Sequence, residues 1–281
     1  IIVPGNHDAK RPSKTSGLNL IRDKKDEKMS LDLTALQELE VRFDGFRNAC
    51  NSLSTKKLYK RNQTSGIKDI KVGNAFYRFI MLNSALGTRD KFDYNNLFVS
   101  NIQLESLLKD INRKIKPEIT FLVMHHPIDW LSYQERQLLE EYMQDETGLN
   151  VDVVLHGHIH DGQINLVSNL DSNIVFLVTG IGYERGEIYS GGEEHSKRPN
   201  HYRYATYEIC KSQNLIHGIL RKSNNVLAFK PDTSMYKGIN QDGEFEIPLK
   251  LNSKLETYSI KIPINGDVLL TPLLLSKIDY V

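Results

Sequence analysis

Three short clusters of potential metal ligands, each placed after an apolar run, constrain this fold more than any other feature. The clusters are Gly5-Asn6-His7-Asp8, His125-His126-Pro127 and Gly157-His158-Ile159-His160. The runs before them cover residues 1–3, 119–124 and 151–155. Short β-branched runs of this kind are typical of buried strands. We therefore expect the polar clusters to lie in loops at strand ends, where scaffolds commonly present chemistry.

The rest of the chain mixes helical and strand patterns. Apolar residues at helical spacing predict helices over residues 31–49 and 101–115. A capping box, Ser132-Tyr133-Gln134-Glu135, predicts a helix that continues to about Met143. Further strands are predicted over residues 75–83, 174–178, 204–209 and 215–220. The predicted class is α/β (α+β).

In their order, the three clusters resemble the last three motifs of the calcineurin-like metallophosphoesterases, also called the purple-acid-phosphatase superfamily. The family pattern is Asp-x-His, Gly-Asp, Gly-Asn-His-Asp/Glu, a His commonly followed by His or Tyr and Pro, and Gly-His-x-His. The resemblance implies two facing sheets flanked by helices. Its first two motifs would lie upstream of Gly5, where this chain has four residues. We therefore expect the N-terminal strands to be missing and the 281-residue chain to be a feeble catalyst.

The resemblance also implies two divalent metal ions and assigns their ligands. By position, Asn6, His125 and His158 would bind the second metal, and His160 would bind the first. Histidine nitrogens mixed with oxygen ligands accept Mn, Fe, Zn or Co, so the residue types leave the metal open. The missing motifs would supply the other ligands, including the bridging carboxylate.

His7 and Asp8 would act beside the metal ions. The resemblance implies in-line attack on phosphorus by metal-activated hydroxide. His7 would contact the phosphoryl group or protonate the leaving oxygen. Asp8 would accept a hydrogen bond from the His7 ring and fix its orientation. The alternative for an isolated Asn-His-Asp sequence is an ordinary hydrogen-bonded turn.

Substrate contacts are less sharply indicated. His126 is a candidate ligand or substrate contact, and the alternative is a packing residue behind the ligands. Arg185, in the glycine-rich segment 180–186, is a candidate phosphate contact, and the alternative is an ordinary loop. Trp130 could form a wall of the substrate pocket or pack in the core.

Composition excludes few functional classes. A net charge of +1 gives no global attraction to nucleic acid or membrane. Two cysteines are too few for a disulfide framework, and no apolar run reaches transmembrane length. We therefore expect a cytoplasmic protein with a small phosphoester or nucleotide substrate and no membrane partner.

The predicted domain organisation is a partial phosphoesterase domain over residues 1–220 and a C-terminal extension over 221–281. A partly helical insertion is predicted over residues 10–71. The extension either adds strands to the core or begins a linker.

The favoured function is a metal-dependent hydrolase of a phosphodiester or nucleotide, that is, a phosphodiesterase in the broad sense. Three alternatives stay open at this point. They are a nuclease, a catalytically inactive interaction module with the same fold, and an effector domain of a larger signalling protein.

Overall fold

A computed structural model describes most of the chain between Ile1 and Leu249. The described ranges are 1–10, 33–54, 57–89, 93–144, 147–158, 163–168, 173–178, 202–210, 213–223, 228–234 and 238–249. The helices in these ranges are α1 (Leu33–Val41), α2 (Asp44–Ser52), α3 (Asn101–Asp110) and α4 (Tyr133–Gln144), with a 3-10 turn at Ile128–Trp130. The strands are β1 (Gly66–Val72), β2 (Ala75–Met81), β3 (Ile119–Val123), β4 (Val153–Leu155), β5 (Gln163–Ser168), β6 (Asn173–Val178), β7 (Tyr202–Cys210), β8 (Leu215–Ser223), β9 (Lys230–Pro231) and β10 (Glu244–Pro248).

The first sheet carries the two histidine clusters. Its strand order is β1-β2-β3-β4-β6-β5. The four inner strands are parallel, and both edge strands are antiparallel to their neighbours. Because β3 and β4 are adjacent and parallel, their carboxyl ends lie at the same edge of the sheet. The expectation that the two histidine clusters follow strands agrees with the structure, and the parallel pairing brings both loops to the same edge.

The second sheet packs on one face of the first. It has the order β10-β8-β7, with β9 paired to β8. Phe121 and Val175 of the first sheet share a buried apolar cluster with Ile216 and Phe245 of the second. The Phe245 ring lies so close to Gly218 that a Cβ there would be 2.1 Å from a ring carbon, so no larger residue fits without rearrangement.

Helices cover the other face of the first sheet. Leu104 and Leu107 of α3, with Leu139 and Met143 of α4, share a buried cluster with strand residues such as Leu122. The inner strands are thus buried on both faces, which explains their continuous apolar runs. The predicted mixed α/β fold, with two sheets flanked by helices, is confirmed.

The first predicted strand is wrong. Residues 1–3 adopt no strand, and Ile1 and Ile2 are 42% and 43% exposed. The Tyr59 hydroxyl donates a hydrogen bond to the Ile2 carbonyl, and Val3 packs with Cys50 and Tyr59. The segment is held by side chains rather than by a neighbouring strand, and β-branched composition alone does not supply a ladder partner.

The helix predicted over residues 31–49 is interrupted. Two helices, α1 and α2, are separated at Arg42 and Phe43. The Arg42 carbonyl accepts a hydrogen bond from the Lys10 amide at 2.9 Å, and its guanidinium donates to the carbonyls of Leu86 and Thr88. These distant backbone contacts fix Arg42 outside the helical ladder. Apolar periodicity contains no signal for them.

The helix predicted over residues 101–115 is also shorter than expected. It ends at Asp110, because Ile111 has an extended backbone with ψ of 119°.

The predicted capping box at residues 132–135 makes other contacts than expected. The Oε2 atom of Glu135 accepts hydrogen bonds from the Val99 and Ser100 amides, both at 2.9 Å. Glu135 thus ties α4 to the start of α3 instead of closing its own helix.

The predicted insertion over residues 10–71 contains α1, α2 and most of β1. Strand β1 pairs along its whole length with β2 as an edge of the first sheet. It alternates only weakly because much of it is exposed. After residue 220, β8 continues to Ser223, and β10 pairs with it. The described part of the extension therefore adds strands to the core, whereas the division into domains at residue 220 stays a prediction.

None of the helices within the described ranges has the length and apolar character that a membrane span requires.

Candidate metal centre

A tight turn at residues 5–8 presents Asn6. The Asp8 amide donates to the Gly5 carbonyl at 3.1 Å, and the Gly5 amide donates to Asp8 Oδ2 at 2.9 Å. These reciprocal bonds close the turn from both ends. Gly5 itself is buried against His125, and a Cβ at Gly5 would lie 2.9 Å from His125 Cε1. A side chain at this position would meet the histidine ring.

His125 and His158 lie side by side because the pairing of β3 with β4 continues beyond the formal strand ends. The Met124 amide donates to the Leu155 carbonyl, and the Gly157 amide donates to the His125 carbonyl, both at 3.0 Å. These bonds carry the register of the sheet into the two loops. They bring His125 Nε2 to 3.2 Å from His158 Nδ1.

Asn6 completes a convergent set of three ligand atoms. Its Oδ1 lies 3.0 Å from His125 Nε2, across 119 positions of sequence. A single ring nitrogen either donates or accepts, so His125 Nε2 cannot satisfy both neighbours with ordinary linear hydrogen bonds. Two further electron-pair donors within 3.2 Å of His125 Nε2 are instead typical of a metal-binding arrangement.

The spacing of these atoms fits a metal ion. Ligands about 2.1 Å from one ion, at angles of about 90° to 109°, are about 3.0 to 3.4 Å from each other. The two observed contacts, 3.0 and 3.2 Å, lie in this range. Mixed imidazole and amide-oxygen ligands suit a divalent transition metal. The residues present therefore fit one of the ions that the family resemblance implies.

The backbone of His158 supports a specialised role for the loop after β4. Its φ is +65°, in the left-handed region that few non-glycine residues adopt. Such conformations cost free energy and persist where the surrounding structure enforces them, commonly at functional sites. Here the unusual backbone accompanies the close approach of the His158 ring to His125.

His126 is completely buried behind the ligands. Its Nδ1 lies 3.1 Å from Ser84 Oγ, and its ring packs against those of His125 and His158, with centroids 4.7 and 4.5 Å away. Burial, followed by the two neighbouring histidines, lowers the pKa of His126 to about 2. The ring is therefore neutral at physiological pH, and its burial argues against direct contact with substrate.

Ser84 is a site residue that the sequence did not reveal. It follows β2 and is fully buried, and its Oγ accepts hydrogen bonds from the backbone amides of both His125 and His126. Its position shortly after the predicted strand that ends at residue 83 could have indicated a loop at the same edge of the sheet. No metal-ligand residue type lies beside Ser84, so the motif search did not select this loop.

Trp130 flanks the centre. Its ring meets His158 edge-on, with centroids 4.1 Å apart, and Tyr94 meets it edge-on at 5.5 Å. Trp130 is half-buried, and Tyr94 is 51% exposed. The two aromatic rings thus extend from His158 toward the protein surface.

The other predicted site residues have different outcomes. His7 and Asp8 are exposed on the turn, beside Asn6. Asp8 Oδ2 bonds to the Gly5 amide, and no Asp8–His7 hydrogen bond occurs among the described residues. The catalytic role of His7 and the orienting role of Asp8 stay predictions. His160 and Arg185 lie outside the described residues.

Comparisons with known proteins place the chain in a family. A search of curated proteins finds no match. Among solved structures, the chain is similar to "GAP50 the anchor in the inner membrane complex of Plasmodium", at 13% identity and a TM-score of 0.39. That alignment covers 82% of this chain and 89% of the other. Because the TM-score is low, we draw no conclusion from this similarity.

The family match spans all three clusters up to the last ligand loop. Residues 1–162 match the calcineurin-like phosphoesterases, and this range includes Asn6, His125, His158 and His160. With this match over more than half of its length, the chain belongs to the calcineurin-like phosphoesterase family.

Proposed function

We propose that this protein is a metal-dependent phosphoesterase whose substrate is a small phosphodiester or a nucleotide. The observation that carries the proposal is the convergence of Asn6 Oδ1, His125 Nε2 and His158 Nδ1, with contacts of 3.0 and 3.2 Å. These three residues would hold one divalent ion. His160 would contribute to a second, as the family motif implies.

The bound metal would activate water and stabilise negative charge on the phosphoryl oxygens. The protein's own residues would position the ester. His7, exposed on the turn beside Asn6, would donate a proton to the leaving oxygen or hydrogen-bond the phosphoryl group. Asp8 would hold the turn through the Gly5 amide, which keeps His7 and Asn6 at the centre.

The aromatic pair of Trp130 and Tyr94 supports an organic substituent on the phosphate. Because the pair runs from His158 to an exposed ring, it offers apolar surface next to the metal ligands. A nucleoside or aryl group could stack there, and such stacking is worth about 1–3 kcal/mol per base.

A cytoplasmic setting is also proposed, supported by two cysteines, Cys50 and Cys210, that are both unpaired.

Metal content and hydrolysis measured on the same samples test the proposal. The 281-residue chain would be freed of metal, reloaded with Mn or Zn, and assayed on bis(p-nitrophenyl) phosphate, cyclic nucleotides, phosphomonoesters and a single-stranded oligonucleotide. We expect weak metal-dependent hydrolysis, just above that of a buffer containing the same metal. Preference for the oligonucleotide would favour the nuclease alternative.

Matched histidine variants make the test specific. His158→Ala should lose metal and hydrolysis together, because it removes a ligand. His217→Ala is the control, since His217 lies on β8 of the second sheet, opposite Glu208 and Glu246. A wild type that binds no metal would refute the proposal. Metal binding without hydrolysis of any ester would favour the interaction module.

A further inference from the structure

Two aromatic rings lead from the metal ligands to the protein surface. The Trp130 ring lies 4.1 Å from that of His158 and 5.5 Å from that of Tyr94, measured between centroids, with interplanar angles of 80° and 85°. In a perpendicular pair, one ring turns its edge toward the face of the other. Trp130 therefore covers at most one face of the Tyr94 ring. Since Tyr94 is also 51% exposed, solvent and small ligands reach this ring.

The order of the first sheet places both rings at the edge that carries the metal ligands. Tyr94 lies in the segment after β2, and Trp130 lies in the segment after β3. Strands β2, β3 and β4 are adjacent and parallel, so the segments that follow them leave the same edge. The Leu97 amide donates to the Trp130 carbonyl at 3.1 Å, and the Ser132 amide donates to the Leu97 carbonyl at 2.8 Å. These two bonds join the segment of Tyr94 to that of Trp130.

Arg136 of α4 holds the two segments from the side. Its Nη2 donates to the Asp129 carbonyl at 3.1 Å and to Asn95 Oδ1 at 3.3 Å. Asp129 precedes Trp130 and Asn95 follows Tyr94, so one guanidinium nitrogen bridges the neighbours of both rings. The pair is therefore fixed before a ligand arrives, and a ligand that contacts it loses less free energy to ordering the protein.

This arrangement indicates which esters the centre selects. A phosphate bound at the metal ligands would extend its organic substituent toward one of its sides, and on the side of His158 that substituent meets the two rings. We infer that Tyr94 is a specificity-determining residue, whose exposed ring stacks on a flat aromatic group of the phosphoester. Nucleotides and aryl phosphates are then selected over sugar and alkyl phosphates. Because every base has a π-face, this contact selects for a base without distinguishing one base from another. The inference rests on the proposed function.

Two matched pairs of ligands isolate the contribution of the aromatic group. AMP and ribose 5-phosphate differ by the base alone, and phenyl phosphate and methyl phosphate differ by the ring. Isothermal titration calorimetry of the Zn-loaded 281-residue chain measures the affinity for each. We expect the aromatic member of each pair to bind about 5- to 150-fold more tightly, which corresponds to about 1–3 kcal/mol at 1.36 kcal/mol per tenfold change.

Variants of Tyr94 assign this advantage to one ring. Tyr94→Ala should bring the affinity for AMP close to that for ribose 5-phosphate and leave the latter unchanged. Tyr94→Phe keeps the ring and should retain the advantage, whereas Tyr94→Leu keeps only apolar bulk and should lose most of it. The control is Tyr204→Ala, because Tyr204 is 44% exposed on β7 of the second sheet and meets Phe229 edge-on at 4.9 Å. This variant should bind all four ligands as the wild type does.

Fluorescence locates the bound base. Trp130 is the only tryptophan of the chain, so its emission reports from the site without a label. A base stacked on Tyr94 lies beside Trp130, and AMP should therefore change this emission far more than ribose 5-phosphate does. AMP that binds without changing the emission would place its base elsewhere and overturn the inference.

The outcomes separate this inference from the proposed function. A wild type that holds Zn and binds AMP no more tightly than ribose 5-phosphate would overturn the inference alone, as would a Tyr94→Ala variant with the full preference. A wild type that binds none of the four ligands would refute the proposed function and the inference together. If a thermal melt shows that Tyr94→Ala is unfolded, the comparison of Tyr94→Phe with Tyr94→Leu decides in its place.

Discussion

Gly5→Ala should weaken metal binding without unfolding the protein. A Cβ at position 5 would lie 2.9, 3.0 and 3.1 Å from Cε1, Nδ1 and Nε2 of His125, all closer than ordinary contact. Relief to an ordinary contact of about 3.4 Å requires a displacement of about 0.5 Å, which exceeds the tolerance of about 0.2 Å for metal–ligand distances. Either the His125 ring or the turn that carries Asn6 must move.

The expected magnitude follows from overpacking energies. Inserting a methyl group into a packed site costs about 1–3 kcal/mol. If this strain falls mainly on the metal-bound state, the affinity for Mn or Zn decreases by about 5- to 150-fold, at 1.36 kcal/mol per tenfold change. Isothermal titration calorimetry measures this change, and a thermal melt of the metal-free protein measures any loss of stability.

A second glycine of the same site provides the control. A Cβ at Gly157 would have one neighbour within 4 Å, the His125 carbonyl oxygen at 3.9 Å, which is ordinary contact. Gly157→Ala should therefore bind metal nearly as the wild type does. Equal affinities for Gly5→Ala and Gly157→Ala would refute the argument that the close approach of Gly5 positions His125.

Three further predictions concern the leaving group, the buried acid and the sheet edge. In a chain extended by the two upstream family motifs, His7→Ala should lower kcat by about 10²–10⁴-fold for a poor leaving group, with metal content unchanged. Metal loss as complete as in His158→Ala would make His7 a ligand. Burial raises the pKa of Glu40 from 4.5 to about 7, so the folded state holds this proton more tightly than the unfolded state. The stability that this proton contributes is lost as pH rises from about 4.5 through about 7. Glu40→Gln should therefore raise the melting temperature more at pH 8 than at pH 4.5, and an equal effect at both would contradict the shift. Arg78 pairs with Asp69 through two bonds of 2.8 and 3.1 Å and is nearly buried. Arg78→Ala should lower the free energy of unfolding by about 3–5 kcal/mol in urea titration, and a loss below 1 kcal/mol would show that the pair is effectively solvated.

The amino-acid sequence alone predicted the strands that carry the two histidine clusters, whereas their adjacency in the sheet came from the structure. β3 and β4 are buried on both faces, so each is a continuous apolar run, and each run ends where its ligand loop begins. The ordered motifs then indicated the family. The apolar runs and the motifs are both formed by residues close together in sequence, so composition and spacing are enough to detect them.

Tertiary structure decided the features that depend on partners far along the chain. Residues 1–3 look like a strand but are held by Tyr59, and the break between α1 and α2 follows from backbone contacts of Arg42. Edge strand β1 lacks an apolar run because much of it faces water. In each case a distant hydrogen-bond partner or solvent exposure outweighed the local pattern.

The same distinction holds within the site. The sequence singled out Asn6, His125 and His158 as candidate ligands because their residue types and motif order are specific. It did not identify Ser84, because a serine gains its role only from the two amides and the ring that folding brings to its hydroxyl. Residue type and motif order therefore predicted the candidate ligands, whereas the support of their backbone by Ser84 depends on contacts that only folding creates.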